Sequence, residues 1–265
     1  MISPVFFLTT LLPCLIAASD TAGPAKSRTL RPELNAALKN TATNFDRNAL
    51  LSSPEDWYYD FNSHPNFNSP NGAVINADAA TFPAVTGLGS SVALLKLAPC
   101  GMLPPHLHPR ATNLVTAITG NTTTYMIGEN GVAMRTVNLT PMVVTLFPQG
   151  SLHMMQNNGM LYFSFPSFPS YQIVKFPGCV CVGMLLTLNA KLDCTPSLLI
   201  SSLNSDDSGT LNILPSLFST PPEIINAAFG DGSMNTADMG KSIPPVGTGA
   251  IIGSAECKKR CGIDV

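Results

Sequence analysis

From Ser91 onward the chain is broken into short β-favouring runs, each bounded by Gly, Pro or Asn. The runs are Ser91–Leu97, Leu114–Thr119, Thr122–Ile127, Val132–Asn138, Met142–Phe147 and Leu198–Leu203. None is long enough to bury an amphipathic helix. Regular short strands with frequent turns predict an all-β, antiparallel sandwich or barrel. The composition agrees, with 20 Gly and 23 Pro among 265 residues, enough chain for one full core. Only 11% of residues are charged and the net charge is −2 with 14 Lys and Arg. Such a balance lacks the basic face a nucleic-acid partner requires. Beyond the first twenty positions no apolar run reaches the roughly 18–20 residues of a membrane span, so no membrane partner is expected.

The remaining segments divide the chain. Val5–Ala18 is a short apolar block without Lys or Arg, ending in small residues, and reads as a signal peptide over residues 1–18. A secreted, extracellular protein follows from that reading. The sequons Asn121-Thr122-Thr123 and Asn138-Leu139-Thr140 then become glycosylation acceptors. Residues 19–72 form an N-terminal arm. Its helix starts at Pro32 with Leu34, Ala37, Leu38 and Thr41 on one face. Trp57–Pro83, rich in Asn, Pro, Ser and Asp, is expected to loop, and His64 within it to be solvated. The β-domain spans 73–229 and closes with the helical spacing of PEIINAAFG. Residues 230–265 form a tail with a short helix near Glu256–Arg260.

Three of the four histidines fall in two tight clusters. His106 and His108 sit in PPHLHPRATN, and His153 follows the turn Pro148-Gln149-Gly150. The prolines exclude a helix. On a strand, residues two apart face the same side, so His106 and His108 can project together into a barrel, and His153 can meet them from another wall. Three imidazoles with open positions make a common metal site. Arg110 is expected at the surface, Met154 or Met155 in the cavity wall, and Tyr125 and Phe147 in the core.

These segments resemble the germin-like branch of the cupin superfamily, and most closely the fungal spherulin-like secreted cupins. The first motif of that family, G-x5-H-x-H-x3-4-E-x6-G, is matched by His106, His108 and Gly120. The second, G-x5-P-x-G-x2-H-x3-N, is matched by Pro148, Gly150, His153 and Asn157. The resemblance covers roughly Val74–Phe229. It implies a double-stranded β-helix, or jelly roll, holding a divalent metal, manganese in germins. It also implies a possible homo-oligomer, trimer or hexamer, and oxidoreductase chemistry on oxalate or superoxide. Three positions depart. Cys100 and Met142 stand where the two motifs open on glycine, and Asn113 stands where a glutamate ligand is usual. A neutral Asn113 carbonyl is a weaker ligand than a carboxylate. A set of His106, His108, His153 and Asn113 suits Fe, Cu, Zn or Ni as well as Mn, and its uncompensated charge attracts a small anionic ligand or an oxygen species. The alternative function is a non-catalytic structural or stress-related protein of walls or spores, in which the ion stabilises the fold.

One stretch breaks the resemblance. Met160–Asp193 is aromatic and apolar without clean alternation, and removing it joins Gly159 to CTPSLLIS in the register expected of such cupins. Codons for Gly159-Met160 can contain a GTATG donor, and those for Leu192-Asp193 a TAG acceptor, whose splicing leaves a single Asp codon. The stretch reads as a translated intron, since an exposed apolar loop of this length is unfavourable. Of seven cysteines, Cys14 leaves with the signal and Cys179 and Cys181 lie in this stretch. The disulfide candidates are then Cys100, Cys194, Cys257 and Cys261. Cys257 and Cys261, one helical turn apart at about 5–6 Å between Cβ atoms, are expected to pair with the barrel and not with each other.

Overall fold

The computed structural model describes residues 29–164, 170–176, 179–185, 189–230 and 232–264. The signal-peptide reading and Cys14 lie outside them. Among the described residues no helix is long and apolar enough to cross a membrane.

In chain order the strands are β1 (Gly72–Ala77), β2 (Ser91–Leu97), β3 (Gly101–Leu107), β4 (Asn113–Thr119), β5 (Thr122–Ile127), β6 (Arg135–Leu139), β7 (Val144–Phe147) and β8 (Leu152–Asn157), of which β2, β4, β5, β6 and β7 fall on expected runs. After them come β9 (Met160–Ser164), β10 (Ser170–Phe176), β11 (Cys179–Leu185), β12 (Asn189–Asp193), β13 (Ser197–Leu203), β14 (Leu211–Asn212) and β15 (Ile251–Ile252). One sheet has the order β1-β2-β13-β4-β7. The other has the order β14-β3-β8-β5-β6, with β15 also paired to β3. The two antiparallel sheets enclose one core built from inward-facing residues, among them Leu95, Leu97, Leu103, Val115, Phe147, Met155, Leu199 and Leu203. This is an all-β jelly roll.

The arm is more ordered than its composition suggests. Helix α1 (Pro32–Lys39) begins at its proline and buries Leu38. Helix α2 (Asn44–Leu50) is capped by Thr43, whose hydroxyl accepts from the Asp46 amide, and the Arg47 guanidinium donates to the Ala84 carbonyl at 2.5 Å. Leu38, Leu51 and Ala84 form a small second core. The stretch expected to loop contains β1, because Ala73 and Ile75 find cover: Tyr59, Phe61 and Phe67 of the arm pack over them and Leu94. Tyr125, expected in the core, is only half-buried on the outward side of β5, whereas Phe147 is 1% exposed.

The C-terminal residues act as part of the barrel. Helices α3 (Ile213–Leu217), α4 (Pro222–Phe229) and α5 (Thr236–Ser242) lead to Thr248, whose carbonyl accepts from the Val74 amide at 2.8 Å. Helix α6 (Ala255–Cys261) is bolted down by two disulfides, Cys100–Cys257 and Cys194–Cys261. Each joins one end of the helix to barrel segments distant in sequence.

The apolar stretch Met160–Asp193 makes its own ladders. β9 pairs with β12 and β10 with β11, in two separate two-stranded sheets. Met160 lies directly opposite Asp193, so the excursion leaves and re-enters at one place. The barrel is closed beside that point by other groups. The Asn157 amide donates to the Leu97, Ala98 and Thr195 carbonyls at 3.2, 3.0 and 2.8 Å. A chain in which Asp193 directly follows Asn158 is therefore expected to fold to the same barrel with both disulfides. Its far-UV dichroism and urea midpoint should match or exceed those of the full chain; a chain that aggregates or melts early would show that the excursion belongs to the core.

Two non-glycine residues, Cys100 at φ 56° and Met142 at φ 70°, have left-handed backbone. These are the positions where the family motifs open on glycine, which alone adopts that conformation freely. Met142 is 81% exposed, so its side chain packs little against the conformation it strains. Met142→Gly is expected to raise stability by about 1 kcal/mol, the usual cost of this conformation for a residue with Cβ, visible as a higher melting temperature.

Candidate metal site

Two local devices aim the histidines. Along β3 the pairing with β8 runs Leu103↔Met155 and then His106↔His153, so β3 carries one extra residue between them. That bulge falls on Pro104-Pro105, where prolines lack the amides a regular ladder needs. One inserted residue switches the inward parity, so Leu103 and His106 both face the interior. His108, two residues on, follows His106 inward. On β8 the alternation is regular, placing His153, Met155 and Asn157 inside.

The three rings converge. Their centroids lie 5.4 Å apart for His106–His108, 4.3 Å for His106–His153 and 5.3 Å for His108–His153. A ligand-capable nitrogen from each lies within 4.8 Å of the other two. Phe147 stacks on His153 at 4.3 Å with planes 10° apart.

Each ring is held through its Nδ1. His106 Nδ1 donates to the Pro104 carbonyl at 2.7 Å, His108 Nδ1 to the Gly209 carbonyl at 2.6 Å and His153 Nδ1 to the Ser151 carbonyl at 2.9 Å. Carbonyls only accept, so each ring carries its proton on Nδ1 and its lone pair on Nε2. Burial pushes His106 well below the ordinary imidazole value, helped by the neighbouring His153 and His108. Burial likewise pushes His153 down to about 4, with His108 adding to the shift. His106 and His153 are therefore neutral at physiological pH, as ligation requires. The Nε2 of His153 is buried and has no hydrogen-bond partner. In an interior where such atoms are almost always satisfied, that nitrogen fits a metal ion.

Asn113, 3% exposed on β4, lines the same cavity, and its Oδ1 accepts the Ser201 hydroxyl at 2.7 Å. A carbonyl oxygen so engaged is a poorer metal ligand. The cavity, of about 450 Å³, is also lined by two groups the sequence pattern places elsewhere. His64, expected to be solvated, is half-buried there, its Nδ1 accepting from the Asn66 amide at 3.1 Å. Asp78 lies 8% exposed at the end of β1. The signal that could have found His64 is the aromatic pair Phe61 and Phe67 flanking it, which pins the arm to the barrel.

The other candidates lie elsewhere. Arg110 is at the surface, paired with Asp207 at 2.9 Å. Asn138 is exposed on β6, its Oδ1 accepting from the Thr123 hydroxyl at 2.7 Å, while Asn121 is half-buried. Cys100, Cys257 and Cys261 also cluster, but in disulfides.

A closed antiparallel β-container with inward histidines from two separated strands defines a cupin. The Cupin family model matches residues 59–179. Over that span the chain is similar to cupins, and its relatives are germin- and spherulin-like proteins. Spherulin-1A of Physarum polycephalum is 26% identical over 234 residues, covering 87% of this chain and 80% of that protein. Germin-like protein subfamily 3 member 1 of Arabidopsis thaliana is 44% identical over 93 residues, covering 35% of this chain and 44% of that protein. An oxalate oxidase structure superposes with a TM-score of 0.53 at 20% identity, covering 70% of this chain and 79% of that one, a likeness of fold.

The neutral, buried imidazoles set a pH dependence. Unfolded histidines take up protons near the ordinary value of about 6.5, whereas folded His106 and His153 resist protonation until lower pH. The unfolded state then binds more protons, so acid favours unfolding. The metal-free protein is expected to hold full stability above pH about 6.5 and to lose it steadily toward pH 4. Urea midpoints across that range check this, and His153→Asn should flatten the slope.

Proposed function

We propose that this chain is a secreted metal-binding cupin in which His106, His108 and His153 hold one divalent ion, with Asn113 beside it, in a cavity open to a small anionic ligand or an oxygen species. The buried, unpartnered Nε2 of His153 carries the reading, with all three Nδ1 atoms committed to carbonyls. An unsatisfied buried polar atom costs about 1–3 kcal/mol, and ligation removes that cost. Germin likeness favours manganese; the neutral donor set equally suits Fe, Cu, Zn or Ni. A bound redox-active ion would supply electron transfer, which zinc does not.

The residues of the chain do the rest. Backbone carbonyls fix the imidazole tautomers, and Phe147 walls off one ring face. Asn113, its oxygen taken by the Ser201 hydroxyl, lines the cavity and keeps amide N–H groups as its donors. These can donate to an anion, where an ionised glutamate could only accept. Oxalate and superoxide are the substrates to which germin likeness points. Export to an oxidising compartment is supported by the two disulfides. Glycosylation at Asn121 and Asn138 and assembly into a trimer or hexamer belong to the same reading.

The test is direct. The purified protein is expected to carry about one redox-active ion per chain by elemental analysis, and to turn over superoxide or an organic anion only when loaded. His108→Ala should weaken ion binding by more than about a hundredfold, since loss even of a supporting group costs ten- to a hundredfold. Stoichiometric metal in that variant would refute the ligand set. Bound zinc, no turnover and a large fall in melting temperature on chelation would support the structural wall or spore role.

A further inference from the structure

Away from the three histidines the cavity wall is polar, and β1 and the arm supply much of it. Strand alternation turns Val74 and Asn76 of β1 toward the cavity, and Asp78, just past the strand end, continues that parity. Ala73 and Ile75 face the other way, under Tyr59, Phe61 and Phe67 of the arm. The same arm brings His64 and Asn66 to the cavity, and Asn212 and Thr248 complete this side. The volume of about 450 Å³ falls within the roughly 300–1,000 Å³ of small-molecule sites.

Two groups on this wall are incompletely satisfied. Asp78 is 8% exposed. Its Oδ1 accepts from the Ala80 amide at 2.9 Å and, at 3.4 Å, from the Thr81 hydroxyl. Its Oδ2 has no hydrogen-bond partner among the described residues, and no Lys or Arg of theirs lines the cavity. Buried carboxylates are ordinarily paired, because an uncompensated one is costly. His64 has the opposite polarity to the other three histidines. An amide N–H only donates, so His64 Nδ1 accepts from Asn66 and the proton of the neutral ring sits on Nε2. That N–H also has no partner among the described residues. The wall therefore offers a guest one strong acceptor and one directed donor.

The chemistry of these two groups selects the guest. An acceptor-only anion gives Asp78 no donor. A cation would share the cavity with the ion assigned to the histidines, and like charges repel strongly in a low-dielectric interior. A hydroxyl group suits both side chains, since its O–H donates to Asp78 and its oxygen accepts from His64. The amides of Asn66, Asn76 and Asn212 and the Thr248 hydroxyl bond in both directions, as a molecule with several hydroxyls requires. We propose that this side of the cavity binds a neutral polyhydroxylated molecule, a sugar or polyol, with Asp78 accepting from its hydroxyls and His64 donating to them. The subsite goes beyond the proposed function. Only the repulsion of a cation rests on that reading; the two side chains act without the ion.

Calorimetric titration of the metal-free protein with erythritol and butanediol, equal in carbon number, tests the subsite. Erythritol should bind at least about tenfold more tightly, the value of one hydrogen bond to a charged group. Asp78→Asn keeps an oxygen for the Ala80 amide and should lower erythritol affinity by about tenfold. His64→Phe should lower it severalfold, and His64→Gln, which retains an N–H donor, should recover most of that loss. Equal binding of the two alcohols, no erythritol binding, or His64→Phe and His64→Gln behaving alike overturns the proposal. Uptake of a second equivalent of manganese or calcium that disappears in Asp78→Asn also overturns it, by giving the carboxylate to a cation. If Asp78→Asn does not fold, the wild-type pair and the two His64 variants decide the matter. Metal titration without alcohol separates the two readings: a protein that binds erythritol selectively but takes up no ion refutes the proposed function alone, and one that takes up its ion but shows no preference for erythritol refutes this subsite alone.

Discussion

Three hydrogen bonds from imidazole Nδ1 atoms to backbone carbonyls decide what this protein can do. A histidine buried in a barrel is ambiguous, because its proton can sit on either nitrogen. Here the carbonyls of Pro104, Gly209 and Ser151 remove the ambiguity, since none can donate. Each ring is fixed in orientation and tautomer by its own chain or by a strand-end loop, and no side-chain rearrangement is needed to present the lone pairs. Such supporting bonds commonly raise ligand basicity and order a metal site before the ion arrives. Burial adds the complementary constraint by keeping His106 and His153 neutral.

The same shell explains why Asn113 matters. With a glutamate at that place, one unit of ion charge would be neutralised inside the protein. With asparagine, no anionic side chain stands at that place, so a divalent ion held by the three imidazoles would keep its full charge in a cavity whose one carboxylate, among the described lining residues, is Asp78. In a low-dielectric interior that charge draws an anion strongly. The Ser201 hydroxyl on the asparagine oxygen turns the residue further toward donation. On the proposed reading, such a site would rely on a guest to balance the charge of its ion.

Much of this was legible in the sequence, and the parts that were not share a cause. The strands β2 and β5 follow from alternation and turn residues at their ends, because one face packs on the core. The histidine spacing was readable because strand periodicity is rigid. β1 and His64 were missed because local composition said loop. Their order comes from Phe61 and Phe67 meeting Ala73, Ile75 and Leu94, a tertiary contact that Asn- and Pro-rich neighbours conceal. Tyr125 was misplaced for the opposite reason: a hydrophobic residue in a strand faces outward when its neighbours Thr122 and Thr124 take the inward positions. The bulge at Pro104-Pro105 is visible as two prolines, but that it flips the parity of His106 can be seen only against the β8 register.

Cys100 and Met142 show how different constraints settle one backbone problem. Both occupy left-handed positions, at a cost of about 1–2 kcal/mol for a residue with Cβ. Cys100 closes a disulfide across a sequence separation of 157. In the chain-entropy account, a loop of that size stabilises the fold by up to about 5 kcal/mol. The backbone strain is small beside it, and a glycine there would relieve the strain but lose the cross-link. Met142 has no such cross-link: its side chain is mostly in solvent, and its amide, donating to the Ala117 carbonyl at 2.9 Å, is what holds it. The two departures from a glycine pattern are therefore not equivalent. One exchanges conformational ease for a covalent anchor that fixes the C-terminal helix against the barrel, and the other is a tolerated local cost. The anchored helix in turn holds the preceding residues Val246–Gly249 against β1, where they complete the cavity wall. The covalent links at the far end of the chain thus serve the geometry of a cavity whose histidine cluster comes from its middle.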